Sequence, residues 1–566
     1  MNSQSRITPD RAVLVGALLA ALAYIQDIRY DFILDDYPLI LMNTSIAHWR
    51  NWKMAFINHI FATDEPTLPA EITFMHYRPV YKLWHMLHAH VFGYVFPWWH
   101  LTSLLLHFGV TILVYLLGIR VVKERWTAAL AALLFAFHPI HVESVAYVSA
   151  SSDLLLAFFA LIAFLAYRQF REDGASLFYF GVSVVAAALA MMSKETAAMF
   201  PWMLVAYEAM RETPLGTRES WKRFVWTLPF FVVVAAYAGV RTMLFGAQLA
   251  KGGAVTHMAS LLDIPLVLIV YLHNLFWPFR LSFFYPADWG SQWTLWKGAT
   301  GILVMLAAIF SWIRFRDRQG LRLQLLWAAI LFVPAVLAIT SFAQDDWIHD
   351  RQMYLVSVPV CLIAAAFLTD PKLPAKASLI LSSIVLAILL IDLAIQVPRF
   401  SDNASIYASA MELDPQSAIM HGYYGEALWM YGRREEGLRE FKICTELSPN
   451  SSGTHERYGA ALAQIGRDDD AALEYGKALQ LATRPTPFRA FILYELAGFE
   501  LKHSNFSNAE GHLRESLQIS PQSMSGHDLL ARALRELGRT KEADAENQFA
   551  AGLRQQFVQQ HRGSTE

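Results

Sequence analysis

The sequence has few charged residues and very few cysteines for its length. Only 17% of its 566 residues are Asp, Glu, Lys or Arg, whereas 55% are hydrophobic, and the hydrophobic residues form long runs. This composition excludes an ordinary soluble protein and indicates a chain that is largely embedded in a membrane. The net charge of −2 comes without a basic tail, so nucleic acid is not an expected partner.

The two cysteines also limit the chemistry. Cys361 falls in a predicted membrane span and Cys444 in the polar C-terminal part, so we expect no disulfide and no cysteine-based zinc or redox site. An apolar run follows Arg6 and Arg11, as in a signal peptide. Because no small-residue cleavage site follows the run, we interpret it as a retained first span.

The hydrophobic runs end near Val397. The sequence therefore predicts a membrane domain over residues 1–397 and a soluble domain over residues 398–566. Length and hydropathy place candidate spans at 12–29, 99–121, 125–140, 153–168, 175–192, 197–210, 223–243, 259–278, 296–313, 323–342, 352–369 and 377–397. The apolar segment 78–96 carries three histidines and is predicted to lie at the membrane interface or to re-enter the membrane.

Lys and Arg predict the orientation. Basic loops at 120–125, 168–171, 211–223 and 314–318 are expected in the cytoplasm, together with the N-terminus. Twelve crossings would place loop 314–318 outside, so we expect about eleven, with segment 259–278 not crossing fully. The C-terminal domain then lies outside.

The soluble part repeats. Gly425, Gly432 and Gly437 recur 34 residues later as Gly459, Gly466 and Ala471, and related positions follow twice more. Small residues at helix crossings, a turn glycine and a closing proline are typical of tetratricopeptide (TPR) repeats. We predict an α-solenoid with units near 418–451, 452–489, 490–523 and 524–557. Its concave groove is expected to bind a protein or peptide, although a role in assembly alone is the alternative.

Five polar clusters fall on the predicted outer side, at the ends of spans. They are Asp35-Asp36, His76-Tyr77-Arg78-Pro79, His138-Pro139-Ile140-His141-Val142-Glu143-Ser144 with Asp153, Ser193-Lys194-Glu195, and the segment from Asp345 to Tyr354. Ionisable residues at a bilayer edge cost free energy unless they face water, protein or a ligand. Their convergence on one side therefore indicates a functional site.

Each cluster also has a purely structural interpretation. Paired carboxylates serve as a general base or bind a hard metal, but Asp35 and Asp36 also suit a solvated loop. Arg78 suits an interfacial cation whose head reaches lipid headgroups, and Lys194-Glu195 a local ion pair. His138 before a proline suits a simple helix stop.

The ordered set of motifs resembles a known family. Asp35-Asp36, Arg78-Pro79, the segment from His138 to Val145, Ser152-Asp153-Leu154-Leu155, Ser193-Lys194-Glu195 and the segment from Asp350 to Tyr354 occur in family order before a TPR region. The chain is similar, over nearly its whole length, to the transmembrane and TPR-containing protein O-mannosyltransferases and their bacterial relatives. It departs from the family at Ser151-Ser152, where Gly-Arg is common, and at Asp350, where Glu is common; these positions leave the donor sugar open.

The resemblance implies an all-α glycosyltransferase with a GT-C membrane domain of about 11 to 12 spans. Such enzymes transfer a sugar, here expected to be mannose, from a polyprenyl-phosphate carrier to a protein hydroxyl, with inversion. Asp36 or Asp35 is the expected base, with a slight preference for Asp36, and a Mg²⁺ or Mn²⁺ ion at this pair is left open. The donor phosphate is assigned to Arg351, Arg78 and Lys194. The residues expected to orient the acceptor or the base are His138, His141, Glu143, Asp153, Glu195 and Tyr354.

Two other functions stay open. The same chemistry could act on a lipid or glycan acceptor, or the chain could be a membrane scaffold or transporter with a TPR docking region. Transporters usually carry charges at the membrane midplane or internally repeated halves, and neither pattern is evident in this sequence. The resemblance to bacterial relatives and the lack of a luminal retention signal favour a bacterial inner membrane, with the site and the TPR region in the periplasm.

Overall fold

A computed structural model describes residues 8–60, 76–172, 176–211, 221–249, 264–285, 294–337 and 348–562. Across these ranges the secondary structure is helical and contains no strand, which confirms the predicted all-α class. The chain forms two compact units, Met1–Ser409 and Ala410–Glu566. Residues 345 to 347 of the fifth polar cluster lie outside the described residues.

The first unit consists of apolar helices joined by short 3₁₀ turns. Its main helices are Pro9–Ala23, Pro79–Phe92, Phe96–Val122, Arg125–Phe137, Ser151–Glu172, Leu177–Ser193, Phe200–Ala209, Leu228–Leu249, Ile264–Phe276, Thr294–Arg314, Gln319–Leu337, Ser357–Leu368 and Ala375–Gln396. The shorter helix Asn403–Leu413 follows them and crosses the boundary between the two units.

Six helical segments among the described residues are long and apolar enough to cross a bilayer: Pro9–Arg29, Phe96–Val122, Val148–Glu172, Arg223–Gly246, Gln319–Leu337 and Ala375–Phe400. A seventh span results if the bent pair Arg125–Phe137 and Pro139–Ala146 crosses as one. The multi-pass prediction is therefore confirmed, but this count is below eleven or twelve. Several candidate spans form shorter apolar helices, and the spans at 259–278 and 323–342 extend into residues that are not described.

Small side chains let the central helices pack closely. Helix Arg125–Phe137 is rich in alanine and leucine, and ten of its residues are buried. A Cβ atom at Gly118 would lie 3.0 Å from the Ala128 Cβ, so glycine allows helix Phe96–Val122 to approach its neighbour without crowding. On the other side of the core, Phe164 meets Trp327 edge-to-face at 4.3 Å between ring centroids. Such a tightly packed bundle holds the helix ends in fixed positions.

The second unit is a series of four antiparallel helix pairs, as predicted for an α-solenoid. The pairs are Ala418–Met430 with Arg434–Leu447, Ser452–Gln464 with Asp468–Leu481, Pro487–Lys502 with Phe506–Ile519, and Met524–Glu536 with Thr540–Arg562. Gly432, Gly466 and Gly538 turn three of the pairs with φ between +76° and +78°, a conformation that favours glycine. Ser504 turns the remaining pair at φ +60°.

A histidine near the start of three of these pairs joins both helices to the preceding loop. The Nδ1 atom of His421 lies 2.6 Å from Glu440 in the second helix, and its Nε2 atom lies 3.1 Å from the Pro415 carbonyl. His455 and His527 repeat the arrangement with a glutamate 19 residues later and a proline carbonyl six residues earlier. Three of the four repeats are therefore held by these histidine contacts in addition to their apolar core.

Candidate active site

A cavity of about 560 Å³ brings together polar residues from six separate segments of the first unit. Its polar lining includes Asp35, His76, Arg78, Tyr81, Tyr147, Ser149, Ser152, Asp153, Lys194, Glu195, Arg241, His349, Arg351 and Gln352. One wall is apolar and is formed in part by Leu331, Pro334 and Ala335 of helix Gln319–Leu337. The cavity thus joins a charged pocket to an apolar surface of a candidate membrane span.

The loop that presents the two aspartates has a strained turn. Leu34 has φ +47°, which is unusual for a residue with a side chain, and its N–H donates to Asn403 Oδ1 at 2.9 Å. The Asp36 N–H donates to the Ile33 carbonyl at 2.8 Å and closes the turn. Such strain persists where the surroundings impose it, often at functional sites. Here it sends the neighbouring carboxylates in different directions.

Asp36 points into the protein. Its Oδ2 atom accepts from the Ile33 N–H at 3.0 Å, and its Oδ1 atom accepts from the Ser149 N–H at 2.8 Å and the Ser149 hydroxyl at 2.5 Å. The residue is fully buried and is not part of the cavity lining. Burial raises the pKa of Asp36 to about 7, although these hydrogen bonds act in the opposite direction.

Asp35 points the other way. It is exposed and lines the cavity, and its N–H donates to the Tyr147 hydroxyl at 3.2 Å. The two adjacent aspartates therefore occupy different environments: Asp36 holds the loop against Ser149, whereas Asp35 presents its carboxylate to the cavity. This geometry favours Asp35 over Asp36 as the residue that meets a ligand.

Arg78 and Glu195 form the first of three ion pairs on the cavity wall. Arg78 precedes Pro79, which excludes it from helical geometry and places it at the start of helix Pro79–Phe92. Its Nε and Nη2 atoms lie 2.9 Å and 2.8 Å from Glu195 Oε2, and His76 Nδ1 lies 3.2 Å from Oε1. Burial alone would raise the pKa of Glu195, but Arg78 and His76 hold it well below its usual range.

Lys194 and Asp153 form the second pair. Lys194 is extended, with φ −157° and ψ 138°, and ends helix Leu177–Ser193. Its Nζ atom lies 2.6 Å from both carboxylate oxygens of Asp153, in the first turn of helix Ser151–Glu172. A carboxylate is favourable at a helix N-terminus, which explains its place there.

Arg351 and Glu143 form the third pair. The Arg351 guanidinium donates to Glu143 Oε1 at 2.5 Å and its backbone N–H donates to Oε2 at 3.1 Å. The guanidinium also lies 5.9 Å from the Tyr147 ring centroid and 5.6 Å from that of Phe283. Arg351 keeps 21% of its side-chain surface exposed, whereas Glu143 keeps 2%, so the cation faces the cavity and the carboxylate lies behind it.

Three residues that the sequence placed at the site lie in a buried layer away from the cavity lining. His138 ends helix Arg125–Phe137, with its Nε2 atom 2.9 Å from the Leu275 carbonyl. His141 Nε2 lies 2.8 Å from the Ser357 hydroxyl, and Tyr354 lies 2.8 Å from His107 Nδ1. The helix-stop interpretation of His138 agrees with these contacts, and His141 is a buried, hydrogen-bonded histidine.

The structure also joins Asp350 of the fifth cluster to polar residues that the sequence did not single out. Asp350 accepts from Tyr285 at 2.6 Å and from Asn274 at 2.8 Å, next to Arg351. Burial and the nearby Glu143 raise the pKa of Asp350 to about 7. Deeper in the bundle, the buried side chains of Asp27 and His100 lie 3.2 Å apart. The sequence could have indicated the pair of Asp27 and His100, because both residues lie inside candidate spans, where ionisable residues are rare.

The aspartate pair does not fit a divalent metal. Both Asp36 oxygens already accept hydrogen bonds from Ile33 and Ser149, so this carboxylate is not free to join Asp35 on one ion. Among the described residues, no three His, Cys, Asp or Glu side chains are grouped so that they could hold a metal.

Comparison with known proteins relates the chain to mannosyltransferases. The family model for dolichyl-phosphate-mannose-protein mannosyltransferase matches residues 69–242, the segment that carries Arg78, Glu143, Asp153 and Lys194. Protein O-mannosyl-transferase Tmtc2 of Drosophila melanogaster is 30% identical over 36% of this chain and 22% of its own length. F38B6.6 of Caenorhabditis elegans is 23% identical over 76% of this chain and 62% of its own.

TMTC4 of Mus musculus is 23% identical over 77% of this chain and 66% of its own length, so the chain spans less than two thirds of each of these relatives. The chain is therefore similar to transmembrane protein O-mannosyl-transferases, both in the segment 69–242 and in the longer matches.

Proposed function

We propose that the chain transfers mannose from a polyprenyl-phosphate carrier to a hydroxyl group of a protein on the outer face of the membrane. The observation that carries the proposal is the cavity, where exposed Asp35 shares one space with Arg78, Lys194 and Arg351 beside an apolar wall. A lipid-linked sugar phosphate needs this combination: a surface for the lipid, cations for the phosphate and a base for the acceptor.

The leaving phosphate determines the role of the cations. When the bond between the sugar and the phosphate breaks, negative charge grows on the phosphate, and preorganised cations stabilise that charge. Each of the three cations is already held against one carboxylate: Arg78 by Glu195, Lys194 by Asp153 and Arg351 by Glu143. These pairs fix the cations before the donor binds, so little reorganisation is needed.

The acceptor determines the role of Asp35. A hydroxyl that attacks the anomeric carbon must lose its proton, and a carboxylate within hydrogen-bonding reach can accept it. Asp35 has an exposed carboxylate on the cavity, whereas Asp36 is buried and fully hydrogen-bonded. We therefore assign the base to Asp35, revising the slight preference for Asp36. A single displacement on the face opposite the phosphate would invert the anomeric configuration.

The same proposal gives supporting roles to the remaining residues. Glu143, Asp153 and Glu195 position the three cations, and Asp36 positions the loop that carries the base. His138, His141 and Tyr354 support the packing of the segments behind the cavity instead of meeting the acceptor. We further propose that the concave groove of the helical repeats binds the protein acceptor, and that the membrane is a bacterial inner membrane with the site facing the periplasm.

The proposal is tested by transfer of radiolabelled mannose from polyprenyl-phosphate-mannose to protein in membranes that contain the chain. Asp35→Asn should lower transfer by roughly 10²- to 10⁴-fold, the range for loss of a general base. Asp31→Asn is the matched control, because Asp31 is an exposed aspartate of the same loop that does not line the cavity. Equal transfer by Asp35→Asn and Asp31→Asn would overturn the assignment of the base.

A further inference from the structure

Tyr147 contacts both the loop of the proposed base and Arg351, one of the three proposed phosphate-binding cations. We propose that it is a positioning residue, which fixes the distance and direction between the Asp35 carboxylate and the Arg351 guanidinium. The inference rests on the proposed function for its catalytic consequence, but the geometric claim can be tested without activity. Neither its contacts nor its position was evident from the sequence.

Two contacts support this role. The Tyr147 hydroxyl accepts the Asp35 N–H at 3.2 Å, and this is a contact to the backbone of the proposed base. The same ring lies 5.9 Å from the Arg351 guanidinium carbon, within reach of a cation–π interaction. Tyr147 is only 2% exposed and packs edge-to-face on Phe283 at 5.5 Å, so its ring has little freedom to move.

The segment that carries Tyr147 strengthens the connection. Residues on either side of it contact Arg351 and the aspartate next to Asp35: Glu143 binds Arg351, and Ser149 binds Asp36. The backbone between them is held by bonds from the Tyr147 N–H to the Glu143 carbonyl and from the Ala150 N–H to the Tyr147 carbonyl. Seven residues, 143–149, therefore join the cation of the site to the loop of the base.

The two contacts of Tyr147 can be separated by substitution. Tyr147→Phe removes the hydroxyl that holds the Asp35 N–H but keeps the ring beside Arg351. Tyr147→Leu removes both. The hydroxyl is expected to affect the chemical step because it positions the base, whereas the ring is expected to affect donor binding because it positions the cation.

The experiment measures kcat and the donor KM for mannose transfer by the full chain in membranes. We expect Tyr147→Phe to lower kcat by roughly tenfold or more while the donor KM changes less than about threefold, since a small misplacement of a reacting group is costly. Tyr147→Leu should lower kcat similarly and also raise the donor KM by at least about fivefold. Tyr115→Phe is the matched control, because it removes a hydroxyl that bonds Asp10, remote from the cavity.

A second measurement tests the geometry without activity. In a chain with Asp35→Cys, we would follow the rate of maleimide labelling with Tyr147 or with Tyr147→Phe; the native Cys361 and Cys444 are buried. We expect the rate to change at least about threefold, because the hydroxyl no longer holds the backbone of residue 35.

The possible outcomes are distinct. An unchanged labelling rate, or unchanged kcat in Tyr147→Phe, would overturn the positioning role. Equal losses in Tyr147→Phe and Tyr115→Phe would do so as well, since they would show a general effect of removing a buried hydroxyl. A wild-type chain without transfer would contradict the proposed function, and the labelling rate alone would then decide the claim about Tyr147.

Discussion

At the scale of single residues, two adjacent aspartates have different surroundings and therefore different expected roles. Asp35 is exposed in the cavity, whereas Asp36 is buried with three hydrogen bonds from Ile33 and Ser149. A sequence shows that two carboxylates are adjacent, but it does not show which one turns inward. Here the left-handed Leu34 decides the direction, and no local pattern predicts a positive φ at a leucine.

We predict that Asp36→Asn loses stability, unlike Asp35→Asn. An asparagine at position 36 would present an N–H₂ group to one of the N–H donors that Asp36 now accepts from, and a lost buried hydrogen bond costs about 1–3 kcal/mol. The thermal midpoint in detergent should fall for Asp36→Asn and remain within error for Asp35→Asn. Equal midpoints for both variants would show that Asp36 does not hold the loop.

Asp350 gives a prediction about pH. Its pKa in the folded chain is about 7, above the ordinary value of 3.8, because of burial and the nearby Glu143. Between these two pH values the folded chain holds a proton that the unfolded chain has lost. The stability from this group is therefore full below about pH 4, falls as the pH rises, and is lost above about pH 7.

Asp350→Asn removes the carboxyl group that holds this proton. The free energy of unfolding, measured from pH 4.5 to pH 7.5, should decline less steeply with pH in Asp350→Asn than in wild type. The two slopes should differ by at most about 1.4 kcal/mol per pH unit. Asp36 titrates in the same direction, so a smaller decline should persist in the variant. An identical slope in both proteins would argue against a buried, protonated Asp350.

At the scale of the elements, the sequence predicted where helices break better than where they span. The helix-stop interpretation of His138 agrees with the structure, since helix Arg125–Phe137 ends directly before this residue, whereas hydropathy alone extends the candidate span to 140. The bend of 53° after that helix was not predictable, because an apolar run has the same composition whether it is straight or broken. The ion pairs were not predictable either, since Lys194 and Asp153 are 41 residues apart in sequence.

The helical repeats give a prediction about close packing. A Cβ atom at Gly437 would lie 2.8 Å from the Gly425 carbonyl oxygen, so Gly437→Ala should push the two helices of the first pair apart. Overpacking of this kind costs about 1–3 kcal/mol. Hydrogen exchange of residues 418–447 in the full chain should become faster by roughly tenfold.

Gly476→Ala is the control for this change. It also lies in the second helix of a repeat, but a Cβ atom there would have no neighbour within 4 Å. Alanine is the better helix former, so exchange around position 476 should be unchanged or slower. Faster exchange in both variants, or in neither, would contradict the role of the glycine contact.

At the scale of the whole molecule, residues that are predicted to lie on the same side of the membrane form ion pairs with one another. Arg125 binds Asp10, at the end of the first helix remote from Asp35, and Arg171 binds Glu208. Several residues assigned to the outer side, among them Asp35, Arg78 and Arg351, line one cavity, whereas others such as His141 lie behind it. The pairing of these residues within the cavity could not be predicted from the sequence, because the paired residues are far apart in the chain.

The orientation itself can be tested with impermeant maleimide on intact cells. Asp31→Cys, in the loop of the proposed base, should be labelled from outside, and Asp317→Cys, in a basic loop, only after the cells are opened. Both positions are exposed. Labelling of position 317 but not of position 31 in intact cells would reverse the proposed orientation.

We propose that this chain alone moves a sugar from a lipid phosphate to a hydroxyl, with Asp35 as the base. The most direct measurement uses purified chain in liposomes with polyprenyl-phosphate-mannose and a protein acceptor, and determines the amount and the anomeric configuration of the product. We predict mannosylated protein of configuration opposite to that of the donor, formed by wild type and by Asp31→Asn but not by Asp35→Asn. A product of retained configuration would contradict a single displacement. Equal product from Asp35→Asn would contradict the assignment of Asp35 as the base.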